Sequence, residues 1–338
     1  MGEQTMNSNP AVSVVIPLLN KASHISRALD SVFAQTFQDF EIIVIDGGST
    51  DNSQEIVRSF RDPRVRLILQ DKEQPGVSAA RNKGIHESRS ELIVFLDADD
   101  EWRPWFLETI IRLRQRFPEA GLYATSYCMD YVSHMVSPKI RGISPFPWEG
   151  LLDSCFKVLV ISPVLPFIMS SVGSPKAILT TVGLFNPDLR KGEDKELFCR
   201  IAVHYPVAYS THTAAVYHQT SENKVTHNFS RVNFPLEKYL AQTPMEELKL
   251  LPFYGDFCKY CEKCYLSSAY QNIGAGEMKL ARNLLSHVKS KEFLNQKLIL
   301  LILAMLPFSL GRHVVALRLR IINRYYSMLS CIGDTQRD

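Results

Sequence analysis

Short apolar runs alternate with amphipathic stretches through the first third of the chain. Val12 to Ile16 is a continuous, mostly β-branched run closed by Pro17, and it predicts a buried strand. Ile25, Leu29, Val32 and Phe33 then recur at helical spacing, which predicts a helix over Ser23 to Phe33 with Ser23 as a candidate N-cap. The same alternation predicts strands at Glu41 to Ile45, Val65 to Leu69 and Leu92 to Leu96. Between and after them, helices are expected over Asp51 to Phe60, Val77 to Ser88 and Pro104 to Phe117. Runs this short and continuous suit strands covered on both faces. The expected class is α/β, with a mainly parallel sheet and helices on either side.

From Gly121 to Tyr217 the pattern is less regular and richer in Pro. Strands are expected near Leu122 to Thr125, Ile168 to Val172 and Val207 to Ser210, with a helix over Glu193 to Ala202. Leu151 to Gly173 reads as a core segment broken by turns. After about His218 long amphipathic helices take over, at Gly255 to Ile273, Glu277 to Val288 and Phe293 to Met305. Three regions follow: a polar tail (1–10), an α/β unit (11–218) and a C-terminal helical region (219–338). The run Leu298 to Leu310 is nearly all apolar but short, and Pro307 interrupts it. It reads as a buried helix or as an interfacial membrane helix. The basic residues behind it, Arg312, Arg318, Arg320 and Arg324, would suit anionic headgroups.

Composition narrows the class only a little. The chain has 338 residues, 46% hydrophobic and 22% charged, which excludes disordered and fibrous chains. A net charge of +3 is too balanced for a nucleic-acid partner. Seven cysteines are odd in number and sparse, favouring a reducing compartment and a cytoplasmic location. Met1 to Pro10 is polar, so no signal peptide is expected there, and no run reaches the roughly 20 apolar residues a bilayer span needs.

Candidate chemistry sits at the ends of the expected strands, where ligands bind in open parallel sheets. The first strand ends in Pro17-Leu18-Leu19-Asn20, the second in Asp46-Gly47-Gly48-Ser49-Thr50-Asp51, and the fourth in Asp97-Ala98-Asp99-Asp100. Carboxylates beside buried strands are costly unless compensated, and a hard divalent cation is an economical partner for an Asp-x-Asp pair. The same acids could instead cap the helix that follows. A dinucleotide-binding turn is excluded, because no Gly-x-Gly-x-x-Gly follows the first strand. Cys258, Cys261 and Cys264 fall within one expected helix with no second ligand pair, and read as a buried apolar face. Arg200 could pair with an acid near the site, but reads first as an exposed helix charge.

The set of motifs resembles the family 2 glycosyltransferases. It comprises Val12 to Asn20, Gln35-Thr36-Phe37, Glu41 to Asp51, Gly76 to Gly84, Phe95 to Asp100, Gly183-Leu184-Phe185 and Gly192 to Leu197, in that order over roughly residues 11–218. The resemblance implies a GT-A fold and transfer of a sugar from a nucleotide-diphosphate donor, a UDP-sugar first, to an acceptor hydroxyl with inversion. It implies donor contacts from Pro17, Leu19, Asn20, Asp46, Gly48, Arg81, Asn82, Asp97 and Ala98. Mn2+ or Mg2+ would be bound by Asp99 and Asp97, with His218 as a further metal candidate. Asp194 would be the catalytic base, with Glu193 supporting it; by position alone Asp194 also suits a helix N-terminus. Two positions depart from the family pattern, which usually has an aromatic residue where Leu19 stands and a second Asp where Gly47 stands. The Gln-x-x-Arg-Trp signature of processive members is absent, implying single addition. The acceptor class implied is a glycan, surface polysaccharide precursor or lipid-linked glycan, reached by peripheral membrane contact through the C-terminal region. The alternative is a non-catalytic nucleotide-sugar-binding module on the same fold.

Overall fold

The computed structural model describes residues 9–71, 73, 75–131, 133–219 and 229–306. The basic residues from Arg312 to Arg324 and most of the polar N-terminal tail lie outside them. The chain runs β1 (Val12–Leu18), α1 (Ile25–Phe33), β2 (Phe40–Asp46), α2 (Ser53–Ser59), β3 (Val65–Leu69), α3 (Val77–Glu87), β4 (Leu92–Phe95), β5 (Glu101–Trp102), α4 (Phe106–Arg116) and β6 (Leu122–Asp130). It continues with β7 (Met135–Val136), β8 (Glu149–Leu151), α5 (Cys155–Ile161), β9 (Val172–Pro175), α6 (Lys176–Thr181), α7 (Glu193–His204) and β10 (Val207–His218). The helices α8 (Glu237–Gln242), α9 (Met245–Lys249), α10 (Tyr254–Ala275), α11 (Met278–Ser286) and α12 (Leu294–Met305) follow.

One sheet runs β3-β2-β1-β4-β9-β6-β10-β5, with β7 and β8 paired off this path. The strands β3, β2, β1 and β4 are parallel, and β6 is parallel to β10. The antiparallel β9 stitches the two parallel groups together. Chain order reverses at β1, which lies between β2 and β4, so the carboxyl ends of these three strands frame the crevice where α/β sheets bind ligands.

Period-2 alternation explains why the sheet needs cover on both faces. In β1, Val12, Val14, Ile16 and Leu18 join one apolar layer while Val15 joins the other. Ile25, Leu29 and Val32 of α1 and Phe106, Ile110 and Leu113 of α4 fill the first layer. The second contains Ile85 of α3 and extends through α5 and α7 into α10, α11 and α12, so the C-terminal helices share a core with the sheet. Close approach of α3 to β1 depends on Gly84, where an added Cβ would meet Val15 Cγ1 at 2.3 Å.

The structure departs from the sequence expectations in the middle of the chain. Leu151 to Gly173 contains the helix α5, with Ser154 Oγ accepting from the Lys157 amide at its N-terminus. The strand expected over Ile168 to Val172 is a short 3-10 turn at Met169–Ser171, and the strand starts only at Val172. Arg200, expected as an exposed charge, is buried. It pairs with Glu196 and donates to the carbonyls of Val182, Gly183 and Leu184, holding the turn before α7. Leu298 to Met305 is buried on one side only, at Leu300, Leu303 and Ala304.

Candidate active site

The floor of the site is built by the β1–α1 and β2–α2 connections. Asp46 ends β2 and is buried. Its Oδ2 accepts from the Gly48 and Ser49 amides, both at 3.0 Å, and from Gln54 Nε2 at 2.8 Å, while its Oδ1 is buried with no partner. A buried acceptor left unsatisfied costs about 1–3 kcal/mol, so Oδ1 marks a place where a ligand N–H would be welcome. Asn20 crosses to the same turn. Its amide donates to Ser49 Oγ at 2.9 Å and its Oδ1 accepts from the Thr50 amide at 2.8 Å. A left-handed backbone at Asn20 (φ 51°) turns the chain toward α1 and leaves Leu19 55% exposed. Leu19 flanks Gly47, as does Gln70 at the end of β3.

The Asp97–Asp100 turn follows β4, and each of its acids has a different environment. Asp97 Oδ1 accepts from Arg81 at 2.7 Å. Asp99 Oδ2 is 2.9 Å from Lys21 Nζ, and its carbonyl accepts from Arg27 at 2.7 Å. Asp100 is the structural member of the three, because Ser170 Oγ donates to it at 2.6 Å and the His218 amide at 3.3 Å. Ala98 is buried in the core beneath them.

Arg81, almost wholly buried in α3, joins two motifs far apart in sequence. It donates to Asp97 and, at 3.0 Å, to Glu193 Oε1, and its guanidinium lies 5.4 Å from the Phe185 ring centre. Burial would weaken its hold on the proton, but the charges of Asp97, Glu193 and Asp194 more than reverse that and raise its pKa. Burial also raises the Glu193 carboxyl above its ordinary range. The neighbouring Asp194 charge adds to the rise, and Arg81 opposes it. Glu193 and Asp194 open α7 directly after Gly192, which takes a left-handed φ of 83° to start the helix. Asp194 Oδ1 accepts from the Lys195 amide at 2.7 Å.

Two further candidates sit in tightly tied positions. Asn82 uses both ends of its amide on the Phe185 backbone, each at 2.9 Å, and so clamps α3 to the turn before α7. His218, at the end of β10, has Nδ1 2.8 Å from Asp130 Oδ2 and Nε2 3.6 Å from Glu101 Oε2. The neighbouring His218 ring holds the Glu101 carboxyl below the usual range against the opposing effect of burial, with Arg27 contributing.

Residues 13–144 match the family model for Glycosyl transferase family 2. This stretch of the chain is similar to the family 2 glycosyltransferases. Uncharacterized glycosyltransferase YibD of Escherichia coli K12 is 41% identical over 110 residues, which make up 32% of this chain and 31% of that protein. A glycosyltransferase of Nostoc, alr2836, is 37% identical over 114 residues and is matched over 35% of its length. The chain thus spans about a third of the length of these relatives. Among solved structures, Staphylococcus aureus TarS 1-349 in complex with UDP-GlcNAc superposes with a TM-score of 0.61 at 15% identity, covering 87% of this chain and 90% of that one. The mannosyltransferase PcManGT of Pyrobaculum calidifontis, in complex with GDP-Man and Mn2+, superposes with a TM-score of 0.54 at 18% identity, covering 98% and 89%. The architecture is the GT-A fold.

Within this site, the fit of a divalent cation rests on the Asp97–Asp99 pair. Among the described residues no three His, Cys, Asp or Glu side chains gather into a cation cage. Two hard carboxylates suit Mg2+ or Mn2+ when phosphate oxygens and water complete the shell, which is the usual economy at nucleotide sites. Lys21, Arg27, Glu101, Asp130 and Ser170 support the site without standing out in the sequence. Of these, Lys21 had a usable signal, since it directly follows the Asn20 turn at a strand end. Cys261 and Cys264 are buried in α10 and Cys258 is partly so, all as free thiols.

Proposed function

We propose that this chain is an inverting, divalent-cation-dependent glycosyltransferase. It takes a sugar from a nucleoside diphosphate donor, a UDP-sugar first, and adds it once to the hydroxyl of a glycan or lipid-linked acceptor in surface polysaccharide synthesis. It works in the cytoplasm at the inner face of a membrane. The observation that carries the reading is the Arg81 bridge, which brings the Asp97–Asp99 turn and the Glu193–Asp194 helix start to either side of one guanidinium. The similarity to TarS and PcManGT, structures that hold UDP-GlcNAc and GDP-Man, supports the donor class.

On this reading Pro17, Leu19, Asn20, Asp46 and Gly48 receive the nucleoside, and a base N–H completes Asp46 Oδ1. A Mn2+ or Mg2+ ion held by Asp99 and Asp97 would offset the charge that develops on the departing diphosphate. Arg81 cannot drift, because two acids hold it, and it adds a fixed positive charge on the same side. Asp194 takes the proton from the acceptor oxygen as that oxygen attacks the anomeric carbon from the face opposite the diphosphate. Glu193 acts through Arg81, locking its orientation.

The test separates binding from chemistry. In Asp194→Asn, calorimetry with UDP-sugars and Mn2+ should show affinity within about twofold of wild type, while transfer to acceptor and donor hydrolysis fall about 10²–10⁴-fold. Cation-dependent donor binding with no turnover by the wild type, and no difference in Asp194→Asn, would instead identify a binding module.

A further inference from the structure

We propose that Ser78, with the first turn of α3, grips a phosphate oxygen of the nucleoside diphosphate. The role rests on the donor chemistry proposed above and adds a residue to it. Ser78 is 3% exposed, and its Oγ is buried without a hydrogen-bond partner. Folded chains leave few buried hydroxyls unpaired, because each one is costly. Arg81 follows three residues later, on the same face of α3. It directs its two terminal nitrogens to Glu193 and Asp97, yet its Nε is also buried with no partner. Two unpaired groups on neighbouring positions of one helix face point to a shared ligand.

The packing of α3 fixes where that face lies. Gly84 meets Val15 of β1, and Ala80 clusters with Ile43 and Ile45 of β2. At the start of the helix, the Gly76 carbonyl accepts from Gln70 Nε2 at 2.9 Å, and the Gln70 amide donates to the Asp46 carbonyl at 2.8 Å. The N-terminus of α3 therefore stands at the carboxyl ends of β1 and β2. Ser78 lies between the Asp46 turn and Asp97, where a nucleotide that spans the two would carry its phosphates.

Three features select an anionic oxygen. No side chain caps α3 and no acid stands in its first turn, so the positive end of the helix is uncompensated. A Cβ placed on Gly76 (φ 108°) would meet no described residue within 4 Å, so the first-turn amides are open to approach. Arg81 Nε can only donate, so the atom it meets must accept. The Ser78 hydroxyl has no bond to break and turns about χ1 to donate beside it.

Calorimetry on the full chain with Mn2+ tests this, using UDP, GDP and the two matching nucleosides. Ser78→Ala should bind the diphosphate about tenfold more weakly and the nucleoside within about twofold of wild type. It should melt at or above the wild-type temperature, because it removes an unpaired buried hydroxyl. A purely structural serine would do the reverse, lowering the melting temperature and leaving the two affinities in their wild-type ratio. In the wild type, hydrogen exchange of the Val77, Ser78 and Ala79 amides should slow with the diphosphate and not with the nucleoside, a readout that needs no variant to fold. Suppose the wild type binds a diphosphate. Equal loss for diphosphate and nucleoside, no loss for either, or unaltered exchange then overturns the role of Ser78 and leaves the donor reading standing. No binding of either diphosphate by the wild type would sink the donor reading, and this role with it.

Discussion

Arg81→Met removes the cation that Asp97 and Glu193 share, and its consequences can be worked out from the surroundings. The guanidinium side chain is 4% exposed, and its partners differ: the Asp97 side chain is 32% exposed and that of Glu193 13%. Breaking a buried pair costs about 3–5 kcal/mol, most of it from the charge left behind. Asp97 can draw on water, so the loss should sit near the lower figure and come chiefly from Glu193. Glu193 already has a raised pKa from burial first and Asp194 second, with Arg81 pulling it back. Without Arg81 the carboxyl rises further. A folded-state pKa above the unfolded one gives stability that is present at low pH and lost as pH rises through the folded value. The deficit of Arg81→Met relative to wild type should therefore be greatest at about pH 7 and shrink towards about pH 5. Urea unfolding across that range measures it. Adding Glu193→Gln should recover part of the loss, with a coupling of about 1–3 kcal/mol in the double-mutant cycle. A loss below about 1 kcal/mol, or one independent of pH, would refute the claim that Arg81 holds the two motifs together.

Gly84→Ala should destabilise by about 1–3 kcal/mol, read as a lower melting temperature, because its Cβ would sit 2.3 Å from Val15 Cγ1 and push α3, with Arg81, off the sheet. An unchanged melting temperature would mean that α3 does not need that close approach. Lys21→Met should bind Mn2+ alone about fivefold more tightly by paramagnetic resonance, since removing the ammonium 2.9 Å from Asp99 leaves its charge to the ion. Equal or weaker binding would show that Lys21 and the cation do not compete for Asp99.

Much of the frame was legible because its signals are local. β1, β2 and β4 appear where apolar runs give way to the polar stretches at Asn20, Asp46 and Asp97, since the termination of a buried strand and the exit of polar residues are one event in the chain. What escaped was set by long-range pairing. The helix α5 sits in a run whose apolar residues are buried nearly all round, so no helical period shows. Arg200 looks like a surface charge because its partners, Glu196 and three carbonyls before α7, are visible only once the chain is folded. Asn82 adds a role that its motif does not show, since one N–H and the oxygen of its amide also tie α3 to the Phe185 backbone.

The two cations beside the Asp-x-Asp turn differ in a way that fits their places. Arg81 is forked, lies between two carboxylates and stacks near Phe185, so leaving Glu193 would strand a buried charge. Lys21 meets Asp99 through a single ammonium on a flexible stem whose side chain is 15% exposed. Both side chains are largely buried, the Asp99 side chain being 13% exposed, so the ammonium can move away only where another cation takes its place on Asp99. A rigid charge beside Asp97 and a displaceable one on Asp99 leave Asp99 as the carboxylate that can change partners. On the proposed reading, this asymmetry makes Asp99 rather than Asp97 the principal cation ligand, with Arg81 keeping Asp97 in register beside it.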